Sequence, residues 1–282
     1  MSLSAGVVEG TLDVGGVAVR WFDSGGGRDG DPTLVLVHGT TGPAEADFWA
    51  LFPMLAFTRR VVTFDLTLPP ESEPLSLDHF VAQVRAVAEH ASPGRPVALV
   101  GYSLGAVVAA AFAGRCPDLV GSLVLLGGWM RTDRQQLLRN GIWRTLHAEG
   151  SAALSELAVF TAYSRQFLAS RTPQDYATML QRAAGRTTSP RIMELNRTID
   201  IGAECAAVEA PTLVVGGRYD QMVPVGHSRE LFGAIRDSRY VEIASGHALV
   251  QERPAEVFVL VDRFVASPSA APAGTVLSSD PV

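Results

Sequence analysis

A serine between two glycines offers the clearest chemistry in this sequence of 282 residues. Ser103 is the centre of Gly101-Tyr102-Ser103-Leu104-Gly105, which follows the apolar run 97–100 and precedes an Ala/Val-rich run. These runs predict a buried strand and a helix, with the serine at the sharp turn between them and the glycines allowing their close approach. The free amides at the helix start favour the negative charge of an attacked carbonyl. Ser103 is therefore a candidate nucleophile.

A serine hydroxyl is a weak nucleophile and needs a base that is held by a third group. Among six histidines, His247 follows the last predicted strand in a glycine-bearing loop, and Asp220 follows the preceding strand. Because the carboxyl ends of parallel strands gather at one edge of a sheet, we expect both to lie near Ser103.

Composition excludes several classes of function. The chain is 47% hydrophobic and 18% charged, with a formal net charge of -6 and a pI near 5.5. Such a balance argues against nucleic acid or an anionic membrane as a main partner, so we expect a small-molecule substrate. All 23 cationic residues are arginine, which excludes a lysine-dependent covalent mechanism. Cys116 and Cys205 fit no metal spacing and are expected to be buried, unpaired residues.

The start of the chain does not have the pattern of a secretory signal. Residues 1–6 lack a basic start, and no segment approaches a membrane-spanning apolar length, so we expect a cytoplasmic protein. Residues 266–282 are rich in Pro, Ser and Ala and predict a disordered tail. Monomer and homodimer both remain open.

Eight strand-like runs alternate with helical segments and predict an α/β fold. A hairpin over residues 8–22 comes first, and continuous apolar runs such as 33–37 and 60–65 are typical of strands covered on both faces. The alternation predicts a doubly wound, mostly parallel eight-stranded sheet. Helices are expected over 48–57, 77–90 and 254–265, the last with proline at its start.

One long insertion interrupts this alternation. Residues 129–204 contain no strand signature, and their apolar spacing predicts four helices, over 129–148, 152–170, 173–184 and 190–199. We therefore divide the chain into a core, residues 1–128 and 205–265, and a helical cap. An insertion that leaves the carboxyl end of a strand lies above the crevice where open α/β sheets bind ligands, which makes it a lid.

Four short motifs in this order resemble the α/β-hydrolase family over roughly residues 10–265. They are His38-Gly39-Thr40, Gly101-Tyr102-Ser103-Leu104-Gly105, Gly217-Arg218-Tyr219-Asp220 followed by Val223-Pro224, and Gly246-His247 followed by Glu252-Arg253-Pro254. The resemblance implies that Ser103 is the nucleophile, that His247 is the base and then the acid, and that Asp220 holds the imidazole. Asp133 is the alternative acid, because some members of the family carry the acid after the sixth strand.

The resemblance also implies an oxyanion hole formed by the backbone amides of Thr40 and Leu104, with His38 shaping the turn. No metal or cofactor is implied. The chain departs from the family in one place, since residues 65–72 lack the glycine-rich turn that usually follows the fourth strand.

Candidate substrate contacts come from the first turn and the cap. Thr41, Trp129, Trp143, Phe160 and Tyr163 would suit an apolar acyl or alcohol group, although aromatic residues at helical spacing more often belong to a core. Most of the arginines in the insertion are expected to be solvated, and a carboxylate-bearing substrate remains open.

These residues predict a cofactor-independent serine hydrolase that cleaves an ester, lactone or thioester of a small apolar substrate through an acyl-enzyme. Two alternatives remain. The same triad serves acyl transfer, cyclisation or a lyase reaction when water is excluded, and the same fold serves ligand binding without catalysis.

Overall fold

The structure is a computed structural model that describes residue 3 and residues 6–27, 30–186 and 188–278. Within these ranges, none of the helices is both long and apolar enough to span a bilayer.

One sheet of eight strands runs through the molecule, in the order β1-β2-β4-β3-β5-β6-β7-β8. Strands β1 and β2 form an antiparallel hairpin, and β2 pairs antiparallel with β4. All other pairs are parallel. The predicted mostly parallel eight-stranded sheet is confirmed. The strands are β1 (Val8–Val14), β2 (Val17–Asp23), β3 (Leu34–Val37), β4 (Val61–Phe64), β5 (Val97–Tyr102), β6 (Val120–Leu126), β7 (Thr212–Gly217) and β8 (Ser238–Ile243).

Thirteen α-helices occur in the described ranges, and those outside the insertion cover both faces of the sheet. They are α1 (Ala44–Phe48), α2 (Leu51–Ala56), α3 (Leu77–Ala91), α4 (Leu104–Arg115), α5 (Arg134–Ala148), α6 (Ala153–Ala162), α7 (Arg165–Ala169), α8 (Pro173–Ala184), α9 (Pro190–Arg197), α10 (Gly202–Ala206), α11 (Val225–Ala234), α12 (Leu249–Glu252) and α13 (Pro254–Ala266).

Two hydrophobic cores lie on opposite faces of the sheet, and successive residues of each strand contribute to them in turn. Val35 and Leu99 join α3, α4, α10 and α11 on one face, whereas Leu36 and Val100 join α1, α2 and α13 on the other. Both sets are fully buried because side chains alternate between the faces of a strand. The sheet is therefore doubly wound, and the polar loops at its carboxyl edge are fixed by two packed layers.

The insertion is helical, as predicted, but its second predicted helix is two helices. Helix α6 ends at Ala162 and Tyr163 is extended. Ser164 caps the start of α7 by accepting a hydrogen bond from the Phe167 amide. The division of the chain at residues 129 and 204 stays a prediction.

The end of the chain differs from the predicted disordered tail over residues 266–282. Residue 266 closes α13, and the segment that follows runs along β8: the Tyr240 amide donates to Thr275 O at 3.0 Å, and the Leu277 amide donates to Tyr240 O at 2.7 Å. Leu277 also packs on the core formed by α1, α2 and α13. Composition alone predicts disorder here because it does not show that the edge of β8 is free to pair. Residues 279–282 lie outside the described residues.

Both cysteines are buried and free, as expected. Burial raises the pKa of the Cys205 thiol to about 12. Cys205 therefore packs as a small apolar residue under α4.

Candidate active site

Ser103 occupies the strained turn between β5 and α4. Its φ of 55° makes it the one residue other than glycine with a positive φ in the described part of the chain. Its ψ is -120°. Such a conformation costs about 1–3 kcal/mol and persists only where the surroundings enforce it.

The glycines beside Ser103 are required by close backbone contact. A Cβ on Gly101 would lie 2.3 Å from Gly105 O, and a Cβ on Gly105 would lie 2.0 Å from Val37 O. Any side chain at either position would push helix α4 away from β5 or β3. The strand-turn-helix arrangement predicted from these glycines is confirmed.

Three buried side chains meet at the carboxyl edge of the sheet. Ser103 Oγ lies 2.8 Å from His247 Nε2, and His247 Nδ1 lies 2.7 Å from Asp220 Oδ2. The second carboxylate oxygen, Asp220 Oδ1, accepts hydrogen bonds from the amides of Met222 and Val223 at 2.8 Å each. These donors fix the carboxylate, so the imidazole has its Nδ1 proton directed at Asp220 and its Nε2 free to accept from the serine.

The alternative acid, Asp133, lies elsewhere. It caps helix α5 by accepting a hydrogen bond from the Gln136 amide at 2.8 Å. Its other oxygen is 3.3 Å from Nε2 of His227, not from His247. Asp220 is thus the carboxylate that orients the imidazole beside Ser103.

Two backbone amides near Ser103 are available as hydrogen-bond donors. Leu104 is the first residue of α4, and Thr40 belongs to the turn after β3, where a Cβ on Gly39 would lie 3.1 Å from Ser103 Cβ. Among the described residues neither amide has a hydrogen-bond partner. An unpaired amide at a helix start is suited to an oxyanion.

The turn that carries Thr40 is fixed by hydrogen bonds from the core and from the cap. His38 Nδ1 lies 2.7 Å from Gly39 O, and its Nε2 accepts from the Leu66 amide at 2.8 Å, so both ring nitrogens serve the turn. The Gly39 amide donates to Asp47 Oδ2 at 3.0 Å. Asp47 is only 2% exposed and pairs with Arg186 at 3.1 Å.

Arg186 comes from the cap, just beyond α8, and ties it to this turn. Its guanidinium also donates to Thr41 Oγ1 at 3.2 Å and to Ala46 O at 2.9 Å. The cap residue Asn196 adds a hydrogen bond from Nδ2 to Thr40 Oγ1 at 3.0 Å.

A small cavity of about 30 Å³ lies beside Ser103. A space of this size holds about two water-sized groups. Most of its lining is polar, in contrast with the apolar pocket expected from the sequence. The lining residues are Thr40, Ser103, Trp129, Gln136, Arg139, Asn140, Asn196, Met222 and Val223. A larger groove of about 730 Å³ runs along α5, but Ser103 is not among its lining residues.

A model of the α/β-hydrolase family matches residues 34–259, which include the serine, the aspartate and the histidine described above. The chain belongs to this family. It is a hydrolase-type enzyme, as the following relatives also indicate.

The hydrolase is 33% identical over 264 residues to pyrrolizixenacetamide deacetylase of Xenorhabdus hominickii, covering 91% of this chain and 97% of the relative. It is 30% identical over 254 residues to 2-hydroxy-6-oxononadienedioate/2-hydroxy-6-oxononatrienedioate hydrolase 2 of Pseudomonas putida, covering 83% and 85%. Among solved structures, MGS-M2, an alpha/beta hydrolase enzyme from a Medee basin deep-sea metagenome library, superposes with a TM-score of 0.81. That match covers 92% of this chain and 98% of the other at 18% identity, so it shows the fold alone.

The hydrolase places only one of its predicted substrate contacts in the cavity lining. Trp129 lies there, with its indole nitrogen donating to Thr132 Oγ1 at 3.0 Å. Trp143 is buried against His147, and Phe160 is 61% exposed. Tyr163 stacks on Phe167, and Thr41 accepts from Arg186. None of these four lines the cavity beside Ser103.

A second link between cap and core supports the loop of His247. Glu252 accepts from the Gly246 amide at 3.1 Å and from the Ser164 amide at 2.7 Å, and its other oxygen accepts from Ser164 Oγ at 2.6 Å. A Cβ on Gly246 would lie 2.6 Å from the Ser164 nitrogen. The glycine before His247 is therefore required by the close approach of the cap.

Proposed function

We propose that this enzyme is a serine hydrolase that removes a short acyl group from an ester or an amide through an acyl-enzyme. The observation that carries the proposal is the hydrogen-bonded chain from Ser103 through His247 to Asp220, buried at the edge of a cavity of about 30 Å³. The small volume favours acetyl-sized groups. The similarity to a deacetylase adds amides to the esters, lactones and thioesters predicted from the sequence.

The proposed reaction has two halves. In the first, His247 Nε2 takes the Ser103 proton as Oγ attacks the carbonyl carbon, and the oxyanion is stabilised by the Leu104 and Thr40 amides. Asp220 stabilises the imidazolium. The tetrahedral intermediate expels the alcohol or amine, which receives the proton from Nε2. In the second half, water loses a proton to His247 Nε2 and attacks the acyl carbon. The bond between that carbon and Ser103 Oγ then breaks, Oγ takes the proton back from Nε2, and the carboxylic acid is released.

Covalent labelling tests the nucleophile. A fluorophosphonate probe should modify Ser103 in the folded protein, as read by peptide mass spectrometry, and should modify neither Ser103→Ala nor denatured wild type. A folded protein that resists the probe would count against the whole proposal.

The turnover of esters with different chain lengths tests the proposed size of the acyl group. Nitrophenyl esters should react in the order acetate, butanoate, octanoate, with about tenfold or more between the first and the last, because the cavity has no space for a long chain. Isotopic water should place one labelled oxygen in the acid. Label missing from the acid would favour acyl transfer, cyclisation or a lyase reaction instead, and ligand retention with no turnover would favour a binding protein.

A further inference from the structure

Arg139 places a positive charge in the cavity beside Ser103 without an acidic partner. It lies on α5 of the cap and lines the same cavity as Ser103. Its Nε donates to Thr161 Oγ1 at 3.4 Å and its Nη1 to Asn140 Oδ1 at 3.3 Å, both long bonds to neutral oxygens. In the ranges that the structure describes, no carboxylate forms an ion pair with it.

Four other arginines of the cap lie within 4 Å of a carboxylate oxygen. Arg131 pairs with Asp200 at 2.8 Å and Arg186 with Asp47 at 3.1 Å, while Arg144 and Arg197 lie 3.5 and 3.4 Å from oxygens of Glu194. Arg144 is 62% exposed and faces the outer groove. Among the described cap arginines, Arg139 lines the cavity beside Ser103 and has guanidinium N–H groups that donate to no protein atom.

The surroundings of Arg139 make this charge costly. Burial lowers the pKa of its guanidinium to about 10, against the opposing effect of the Asp220 charge. The side chain is half-buried and stays protonated at neutral pH, and a charge that is partly removed from water is costly unless it gains a partner. Gln136, Asn140 and Asn196 offer only neutral groups, and none of the described residues that line the cavity is acidic.

We propose that Arg139 binds a carboxylate of the substrate, so that the enzyme prefers short esters or amides with a carboxylate close to the scissile carbonyl. Guanidinium and carboxylate match in shape and form two parallel charge-assisted hydrogen bonds. The cavity volume favours a carboxylate over the larger phosphate. This inference rests on the proposed function, because it names the substrate class of the same site.

Two isosteric esters test the preference in the wild-type enzyme. Monomethyl malonate carries a carboxylate where methyl 3-methylbutanoate carries an isopropyl group of similar shape, and acid release is followed in a pH-stat. We expect kcat/KM to favour the malonate ester by about 10- to 100-fold, the range of a hydrogen-bonded charge. Equal rates, or a preference for the neutral ester, would overturn the inference without any variant.

Variants assign the preference to Arg139. In Arg139→Gln the ratio of the two kcat/KM values should fall to about 1, and Arg139→Lys should retain part of it because the charge remains. The matched control Arg144→Gln, on the same helix but exposed, should keep the wild-type ratio. If Arg139→Gln kept that ratio, the residue would not be the anion site.

A binding measurement separates this inference from the proposed function. Free malonate should bind Ser103→Ala by calorimetry, and the double variant that also carries Arg139→Gln should bind it about tenfold or more weakly. Binding that survives in a protein whose Ser103 resists the fluorophosphonate would reject the serine mechanism and keep the anion site. Absence of malonate binding in an enzyme whose serine is labelled would reject the anion site alone.

Discussion

His247 is the residue at which separate parts of the chain are joined. Its two ring nitrogens contact Ser103 and Asp220, and its carbonyl accepts a hydrogen bond from the Tyr102 hydroxyl at 3.2 Å. Burial raises the pKa of Tyr102 well above its usual value, so this phenol remains a neutral donor. The imidazole is therefore fixed through its ring and through its backbone.

Replacement of the orienting acid tests this arrangement at the scale of one residue. Asp220→Asn should lower kcat on nitrophenyl acetate by about 10⁴-fold, because an amide does not hold the required tautomer or stabilise the imidazolium. The melting temperature should change little. Asp133→Asn is the control, since asparagine still caps α5, and should retain wild-type turnover. An Asp220→Asn enzyme within tenfold of wild type would contradict the assignment.

Site residues with a recognisable sequence motif around them could be predicted from the sequence. Site residues whose role depends on a contact with a distant part of the chain could not. Ser103 and His247 lie beside glycines that the backbone requires, so their neighbourhood identifies them. Asp47 and Arg186 pair across 139 positions. Nothing near Asp47 in the sequence distinguishes this buried carboxylate from a solvated one, and Arg139 resembles any arginine on a helix.

At the scale of elements, the junction of α6 and α7 shows where periodicity fails. The apolar spacing over 152–170 continues through Tyr163 and Ser164, so it predicts one helix. The helix ends there because Ser164 is bound by Glu252 through both its amide and its hydroxyl. Ser164 is a residue type that often begins a helix, which is a local signal for a break. Its partner Glu252, however, lies 88 residues away in the sequence.

Neutralising Glu252 should weaken its hydrogen bonds to Ser164 and Gly246. In Glu252→Gln, a carboxylate oxygen becomes an NH2 group, which cannot accept the hydrogen bonds that Ser164 or Gly246 donates. We therefore expect the free energy of unfolding to fall by about 1.5–3 kcal/mol. Hydrogen exchange at the Ser164 and Gly246 amides should accelerate. Glu156→Gln, on the exposed face of α6, is the matched control. Unchanged protection of both amides would show that the contact does not hold the cap.

At the scale of the whole molecule, the segment after α13 completes the sheet. Besides its two bonds to Tyr240, it donates from the Gly274 amide to Ser238 O at 2.8 Å and accepts from Arg239 Nε at Ala271 O. An open strand edge invites pairing with a second chain. The segment therefore covers an edge that would otherwise be a site of self-association.

Truncation after Ala266 should expose that edge. We expect the free energy of unfolding to fall by about 1–3 kcal/mol, from a few lost hydrogen bonds, and light scattering to show concentration-dependent association. Activity in dilute solution should persist, since the active site lies on other loops. A chain shortened only by residues 279–282 is the control. A truncated protein that stays monomeric and equally stable would show that the segment is dispensable.

The ion pair of Asp47 with Arg186 gives the cap an electrostatic role beneath the turn that carries Thr40. Without Arg186, Asp47 would be an unpaired carboxylate in the interior, directly beneath the turn proposed to bind the oxyanion. That unpaired charge would repel the developing oxyanion, so Arg186, from a distant part of the chain, keeps the region beside Ser103 suited to negative charge.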